Sequence, residues 1–415
     1  MFSELFNQSI FSNLESTIPP VTVPAWISMF TGKNPGKLGC VDFIYPTKFY
    51  QLGMSKYKGK MLWDILLNKK VGVFNVPGIE PYKVNGVMSN FEKSYPQLKI
   101  KLKTPPLFSV ADDKEKMKLE FSRFEEEQEI ILNFLKKLNF HLMVYVTTIV
   151  DHTSHFTSEY NEIIRAYRKI DEFLERLLPL LQKKNYSFLI VSDHGIKKAK
   201  KRFNVNTFLE NLDLLKERKD VKLRKIVMRL ANIILERSGR YLLHKFRDKV
   251  FKKKTELETM SLGMIDFRLT KIFGFGTAGG HSFPLLYVND ERFINGRYKI
   301  SKHQLLDAIK HSEERNIVKN VWYKTEVYWG DRLNNLPDFI LKLDENYTID
   351  YRLYPSVITK TESFVHSKDG LLIFNNSKTK CKKIKTNILD ITPTVLHMFG
   401  GRPMKNIDGK IMKFS

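Results

Sequence analysis

The sequence predicts an α/β fold with a mainly parallel central sheet. The apolar runs 71–76, 142–150 and 187–191 are short and nearly continuous, as in strands that are buried on both faces of a parallel sheet. Residues 120–138 and 159–181 lie between such runs and repeat apolar side chains at helical spacing. Strands that alternate with helices are typical of α/β domains. In these domains, ligand sites form beyond the carboxyl ends of the strands.

Residues 211–262 interrupt this alternation. The segment is basic, has a helical pattern of apolar residues and contains no strand-like run. We interpret it as a helical cap inserted between two parts of one catalytic core, 1–210 and 263–415. In the second part, residues 370–374 have the composition of a strand and residues 388–399 that of a helix.

Composition excludes several classes of protein. A chain of 415 residues can bury a large core. No apolar run approaches the roughly 20 residues of a membrane-spanning helix, and the N-terminus lacks the pattern of a signal peptide. Cys40 and Cys381 are too few for a disulfide framework or a thiolate zinc cluster. We therefore expect a reducing compartment and a cytoplasmic location.

The formal net charge of +24 fits either anionic partners or a lysine-rich, solvated surface. Basic residues are spread widely, but they are densest in residues 216–254. This segment could attract a phosphorylated substrate, nucleic acid or an anionic membrane surface. The charge does not choose among these partners, and it indicates no oligomeric state.

Two pairs of metal-type side chains follow predicted strands. Asp151 and His155 are four residues apart, which places them on one face wherever the chain is helical. Asp193 and His194 are adjacent and precede Gly195. Oxygen and nitrogen donors of this kind suit Zn²⁺ or Mn²⁺. Each pair alone has an ordinary explanation as well, because aspartates are common helix caps and turn residues.

Thr22 and His366 are the remaining candidates. Thr22 lies in a proline-rich segment just before a predicted helix at 25–30, where free N–H groups and the helix dipole favour a phosphate. A hydroxyl in that place can act as a nucleophile when a metal lowers its pKa. His366 precedes the predicted strand at 370–374. In isolation, Thr22 is more simply a helix N-cap and His366 a loop histidine.

The order of these motifs resembles the alkaline phosphatase superfamily, and within it the type I phosphodiesterase/nucleotide pyrophosphatase family. The resembling segments cover nearly the whole chain and are residues 17–36, Asp151 with His155, Asp193 with His194, His366, residues 389–394 and Asp408. Residues 17–36 look like the family's nucleophile segment. Its metal ligands are matched by Asp151, His155, Asp193, His194 and His366. Residues 389–394 and Asp408 look like its closing signature. The implied fold is a three-layer sandwich with a helical cap.

This resemblance implies a two-metal hydrolase, with zinc the common metal and manganese an alternative. The implied ligands are Asp151, His155 and His366 for one metal, and Asp193 and His194 for the other. Thr22 would attack phosphorus and form a phospho-threonine, which water then hydrolyses. The implied substrates contain phosphodiester or nucleotide pyrophosphate bonds.

One feature of the family has no counterpart here. The family carries a further metal-ligand Asp at the end of its first strand, but only Glu4 and Glu15 offer carboxylates before Thr22. No β-rich run precedes Thr22 either, and residues 1–14 resemble the helix and loop that follow the family's first strand. We expect this strand to be missing and the second metal site to lack one carboxylate.

Three alternatives to the diesterase are open to different degrees. An impaired member of the superfamily would bind anionic partners without turnover. A phosphomonoesterase would benefit from an arginine clamp on the dianion, and none lies beside Thr22, which favours diesters. A sulfatase would need an arginine where Trp26 stands, so the sequence disfavours it most.

Overall fold

The computed structural model describes residues 9–55, 57, 59–80, 82–89, 102–105, 107–219, 262–277, 280–375, 382–401 and 406–413. In these ranges the strands are β1 (Ile10–Glu15), β2 (Ile44–Pro46), β3 (Leu52–Met54), β4 (Val71–Phe74), β5 (Gly86–Ser89), β6 (Leu142–Tyr145), β7 (Phe188–Val191), β8 (Gly195–Asn204), β9 (Ile272–Gly274), β10 (Leu285–Val288), β11 (Val318–Tyr323), β12 (Phe339–Leu343), β13 (Tyr347–Asp350), β14 (Ile358–Ser367), β15 (Asp369–Asn375), β16 (Lys382–Lys383) and β17 (Thr386–Asn387). The helices are α1 (Thr22–Thr31), α2 (Pro35–Leu38), α3 (Leu62–Ile65), α4 (Asp113–Lys137), α5 (Ile149–Phe156), α6 (Tyr160–Lys183), α7 (Val205–Asn211), α8 (Lys302–Lys310), α9 (Lys324–Val327) and α10 (Ile391–Met398). Short 3₁₀ turns occupy Leu107–Ser109, Leu262–Met264, Glu313–Asn316, Leu333–Asn335 and Ile388–Asp390.

The described strands confirm the predicted α/β fold class. One sheet has the order β16-β1-β15-β7, with β17 also paired to β1, and a second has the order β5-β4-β6. The second sheet is wholly parallel, whereas β15 runs antiparallel to both β1 and β7. Further sheets have the orders β13-β8-β14 and β11-β12-β10-β9, and β2 pairs with β3. The strands around the predicted ligands are therefore parallel in the sheet of β6 and mixed in the sheets of β7 and β14.

The two long predicted helices are present as α4 and α6. Helix α4 begins earlier than the apolar pattern suggests, because the side chain of Asp112 accepts a hydrogen bond from the Glu115 N–H at 3.0 Å. The apolar residues of α4 and α6 share a core with Phe74 of β4 and Phe140, which precedes β6. These helices thus cover one face of the parallel sheet.

The strand predicted at 142–150 is shorter in the structure. Strand β6 ends at Tyr145, and helix α5 begins at Ile149. Apolar periodicity cannot separate a buried strand from the buried first turn of a helix that follows it. Asp151 therefore lies in the first turn of α5, so Asp151 and His155 do occupy one helical face.

The expectation of a helix and loop across residues 1–14 is wrong for residues 10–14. They belong to β1, which pairs with β15 on one side and with β16 and β17 on the other. Ile10, Ser12 and Leu14 alternate as its buried residues. The polar Ser12 and Asn13 hide the strand signal in the sequence, and pairing on both sides stabilises the strand regardless.

Strands β6 and β7 border a space between the two sheets. Each is hydrogen-bonded to another described strand on one side only. All their residues are apolar and yet half-buried. The Tyr186 hydroxyl joins the beginnings of the two strands, 3.1 Å from the Phe140 nitrogen and 2.7 Å from its oxygen. Among the described strands, the unpaired edges of β6 and β7 therefore belong to two different sheets.

The C-terminal segments hold the far end of helix α1. The N–H groups of Asp408 and Gly409 donate to the Gly32 carbonyl, and the Thr392 hydroxyl donates to the Met29 carbonyl at 2.6 Å. Gly32 ends the helix with a φ of 65°, and a Cβ there would come within 3.0 Å of Ile407. The resembling closing signature therefore anchors the helix that begins at Thr22.

Most of the predicted cap lies outside the described residues. Its ends meet in the structure, because Glu217 and Ile265 form an isolated antiparallel bridge. Leu214 and Leu215, near the end of the described range 107–219, are buried in the larger hydrophobic core. Among the described residues we find no helix with the length and hydropathy of a membrane span.

Candidate metal centre

Three of the predicted ligands converge at one point. Helix α5 carries Asp151 and His155, and β14 brings His366 to the same place. His366 Nε2 lies 3.2 Å from Asp151 Oδ1 and 3.3 Å from His155 Nε2, and Asp151 Oδ1 lies 3.5 Å from His155 Nε2. Among the described residues, this trio is the one group of three or more His, Cys, Asp or Glu side chains with the spacing of a metal site.

The spacing of the trio fits a zinc ion. A tetrahedral zinc ion with ligand bonds of about 2.0–2.1 Å separates its ligand atoms by about 3.3–3.4 Å. The three measured separations lie close to this value. Asp151 Oδ1 is buried and has no hydrogen-bond partner within the described residues. A buried carboxylate oxygen is costly without a partner, so a cation at this point would satisfy it.

The backbone selects the ring nitrogens that face this point. His366 Nδ1 donates to the Pro20 carbonyl at 2.9 Å, and His194 Nδ1 lies 3.2 Å from the Gly195 carbonyl. Because a carbonyl can only accept, Nδ1 of each ring carries the hydrogen and Nε2 keeps its lone pair. Outer hydrogen bonds of this kind orient histidine ligands in metal sites.

Thr22, Asp193 and His194 form a second group beside the first. Thr22 Oγ1 lies 3.4 Å from His194 Nε2, and Asp193 Oδ2 lies 3.3 Å from the same nitrogen. Asp193 Oδ2 is also buried without a hydrogen-bond partner in the described chain. The rings of His194 and His366 stack with their centroids 3.7 Å apart, so the two groups adjoin. The structure thus brings all six predicted site residues together.

The side chains of the two groups shift one another's pKa values. Burial and then the charge of Asp151 raise the pKa of Asp193 to about 8. Burial and then the charge of His366 lower the pKa of His194 to about 3. Burial would raise the pKa of Asp151 too, but the neighbouring His155 and His366 hold it well below its usual range. Two carboxylates and three imidazoles lie close together in a partly buried site, where cations would relieve the repulsion.

Thr22 is the first residue of helix α1, and Val21 takes the N-cap position instead. The simple explanation of Thr22 as a helix N-cap is therefore wrong. Its hydroxyl is left to face His194, and the N-terminal N–H groups of a helix are suited to an anion. The ordinary explanation of Asp193 as a helix cap fails as well, because β8 follows it.

No further carboxylate completes the second group within the described residues. Glu15 ends β1, but its side chain pairs with Lys368 at 3.0 Å. Glu4 lies outside the described ranges. That the second site lacks one carboxylate therefore stays a prediction.

Sequence reasoning overlooked the residues that support the site. The Ser16 hydroxyl donates to the Asp193 carbonyl at 2.5 Å, and the Pro20 carbonyl orients His366. The Gly280 carbonyl also accepts a hydrogen bond from the His366 N–H at 2.7 Å. The run of small and proline residues around Thr22 could have suggested such backbone contacts, but residue type alone does not identify their partners.

Comparisons with known proteins agree with this geometry. The sequence profile of the type I phosphodiesterase/nucleotide pyrophosphatase family matches residues 1–370. Comparison with curated protein sequences finds no match. Solved structures of ectonucleotide pyrophosphatase/phosphodiesterase 5 are similar in fold. The murine protein has a TM-score of 0.57 at 11% identity, and the alignment covers 99% of this chain and 91% of that one.

Two further solved structures are similar to this chain in fold. The human protein has a TM-score of 0.55 at 12% identity, and an inactive murine variant in complex with AMP has a TM-score of 0.56 at 10% identity. Each alignment covers 99% of this chain and 91% of the other. Identities this low show a shared fold, whereas the profile match spans most of the chain. The chain therefore belongs to the type I phosphodiesterase/nucleotide pyrophosphatase family of hydrolases.

Proposed function

We propose that this hydrolase cleaves phosphodiester or nucleotide pyrophosphate bonds with Thr22 as the nucleophile and divalent metal ions as cofactors. The observation that carries the proposal is the position of the Thr22 hydroxyl, 3.4 Å from His194 Nε2 and next to two groups of metal-type ligands. Asp151, His155 and His366 would hold one ion, and Asp193 and His194 the other. Zinc fits the ligand spacing best, and manganese accepts the same donors.

The metal ions would supply positive charge that stabilises the phosphoryl oxygens and lowers the pKa of the attacking hydroxyl. Thr22 Oγ1 forms a bond to phosphorus as the bond to the leaving oxygen breaks, and that oxygen departs with the electron pair and takes a proton. A water molecule then attacks the phospho-threonine, which releases the phosphate product and returns the proton to Thr22. The free N–H groups at the start of α1 would stabilise the negative charge of the phosphoryl group.

A test of the nucleophile uses two substitutions of one residue. The purified chain with Zn²⁺ or Mn²⁺ should hydrolyse bis-p-nitrophenyl phosphate. Thr22→Ala should reduce kcat at least about 1,000-fold, because removal of a covalent nucleophile removes the pathway. Thr22→Ser keeps a hydroxyl and should retain measurable turnover. Equal rates for wild type and Thr22→Ala would exclude the proposed nucleophile.

We propose that the substrate is a nucleotide or a related phosphodiester. The similar murine structure in complex with AMP supports a nucleotide, and the lack of arginine beside Thr22 in the sequence favours diesters over monoesters. Hydrolysis of p-nitrophenyl phosphate faster than of its bis ester would favour the phosphomonoesterase instead.

Two expectations from the sequence stay predictions. Contact of residues 216–254 with nucleic acid or an anionic membrane falls mainly on residues outside the described ranges. The cytoplasmic location is supported only by cysteine usage. Here, Cys40 is free and buried, and burial raises the pKa of its thiol to about 12.

A further inference from the structure

Helix α4 buries polar side chains on the face that it turns towards the site. Glu120, Arg123, Glu127 and Gln128 are each at most 5% exposed. An ordinary amphipathic helix places such residues in solvent, because a buried charge costs free energy unless it is paired. The contacts of each carboxylate therefore show what it does in the fold.

Glu120 contacts helix α5 at two points. Its Oε1 accepts a hydrogen bond from the Thr148 hydroxyl at 2.9 Å, and its Oε2 lies 3.1 Å from His152 Nδ1. Thr148 occupies the N-cap position of α5, but its side chain caps no helix N–H. The Thr148 hydroxyl, which in the N-cap position would usually accept from a helix N–H, thus donates to Glu120.

These two contacts control the rotation of α5 about its axis. At 3.6 residues per turn, Thr148 and His152 lie on a face about 60° from that of Asp151 and His155. A rotation or shift of the helix would break the Glu120 contacts and move Asp151 Oδ1 from its position 3.2 Å from His366 Nε2. The geometry of the metal trio is therefore coupled to one side chain on a different helix.

We infer that Glu120 is a positioning residue, which holds α5 so that Asp151 and His155 meet His366 at the metal distance. Both of its carboxylate oxygens are occupied by α5, and it is not part of the ligand group formed by the described residues. This inference rests on the proposed metal site.

Glu127 provides a matched control on the same helix. It is as buried as Glu120, but its Oε2 accepts from the Tyr145 hydroxyl at 3.0 Å, and the Asn75 amide lies 3.5 Å from its Oε1. Neither partner belongs to α5. The same substitution at Glu127 removes a buried carboxyl from α4 and leaves the Glu120 contacts in place.

The test is the affinity of the purified apo chain for Mn²⁺, measured by isothermal titration calorimetry well below the unfolding temperature. Glu120→Leu removes both contacts and should weaken Mn²⁺ binding about tenfold or more, as loss of outer partners does in other metal sites. Glu120→Gln can still accept from Thr148 and should restore most of the affinity. Glu127→Leu should leave the affinity within about twofold of wild type, even where it lowers the unfolding temperature.

Each outcome decides a separate question. Wild-type affinity in folded Glu120→Leu, or an equal loss in Glu127→Leu, would overturn the positioning role. If Glu120→Leu does not fold, Thr148→Val removes one contact alone, and it should weaken Mn²⁺ binding and speed amide exchange in α5. Unchanged affinity in that variant would also overturn the role. A wild-type chain that binds no Mn²⁺ would contradict the proposed metal site itself.

Discussion

At the scale of single residues, backbone carbonyls orient the histidine rings of the candidate site. Pro20 and Gly195 accept from Nδ1 of His366 and His194, which leaves both Nε2 atoms directed at the centre. Asp151 and Asp193 each keep a buried oxygen without a hydrogen-bond partner in the described chain. Such atoms cost stability, and a site that binds cations regains that cost on binding.

The buried carboxyl of Glu127 predicts a pH dependence of stability. Burial and then the charge of Glu120 raise its pKa from 4.5 to about 8 in the folded chain. Between these pH values the unfolded chain loses a proton that the folded chain keeps, so wild-type stability falls as pH rises, by up to about 1.4 kcal/mol per pH unit. Glu127→Gln cannot titrate. Its stability relative to wild type should therefore increase from pH 5 to pH 8 and then level off.

Denaturant unfolding at pH 5, 6, 7, 8 and 9 measures this difference. Glu125→Gln, on the exposed side of the same helix, serves as the control and should show no comparable trend. A stability difference for Glu127→Gln that does not change with pH would contradict the raised pKa.

At the scale of elements, helix α1 is held at both ends by distant parts of the chain. The Tyr328 hydroxyl donates to the Ile18 carbonyl at 2.7 Å just before the helix, and the closing segment binds Gly32 after it. Helix α1 itself is buried almost all round. The position of Thr22 is therefore set by contacts that are remote in sequence.

The contacts of Asp408 predict that the closing segment contributes to the free energy of unfolding. It accepts from the Asn34 N–H and the Trp329 indole at 2.8 Å each and pairs with Lys37 at 2.5 Å, and its side chain is 8% exposed. Asp408→Ala leaves the buried Asn34 N–H without its partner and should lower the free energy of unfolding by about 1–2 kcal/mol. Urea unfolding measures this loss, and exposed Asp331→Ala is the control. A loss below about 0.5 kcal/mol would contradict the anchoring role.

At the scale of the whole molecule, strands of three described sheets carry or precede the site residues, and two large hydrophobic cores lie among the described residues. Helix α1 belongs to the core that also contains Leu372 and Leu389, while β9, β10 and β12 build the other large core. The described ends of the predicted cap meet beside the second core. Arg218 N–H donates to the Met264 carbonyl and Asp266 N–H to the Lys216 carbonyl, at 2.9 Å and 2.8 Å.

This arrangement predicts that residues 220–261 can be replaced by a short Gly/Ser linker. Because the two ends are already paired, closing a shorter loop should change the free energy of unfolding by about 1 kcal/mol or less. Thermal unfolding measures the effect. A longer deletion of 213–262 also removes Leu214 and Leu215, which are buried, and should unfold the chain. Equal damage from both deletions would show that the core depends on residues 220–261.

The sequence by itself determined the fold class and the family, and it predicted the six candidate site residues. Periodicity and motif order carry that information, because buried strands, helical stripes and metal-type side chains are properties of local sequence. Only the tertiary structure decided that residues 10–15 form a strand, that Thr22 is inside α1 and not its cap, and that Asp151, His155 and His366 stand 3.2–3.5 Å apart. Strand pairing, burial and the lack of hydrogen-bond partners for buried carboxylate oxygens depend on which residues from distant parts of the chain lie close together. No local pattern specifies the partner in such contacts.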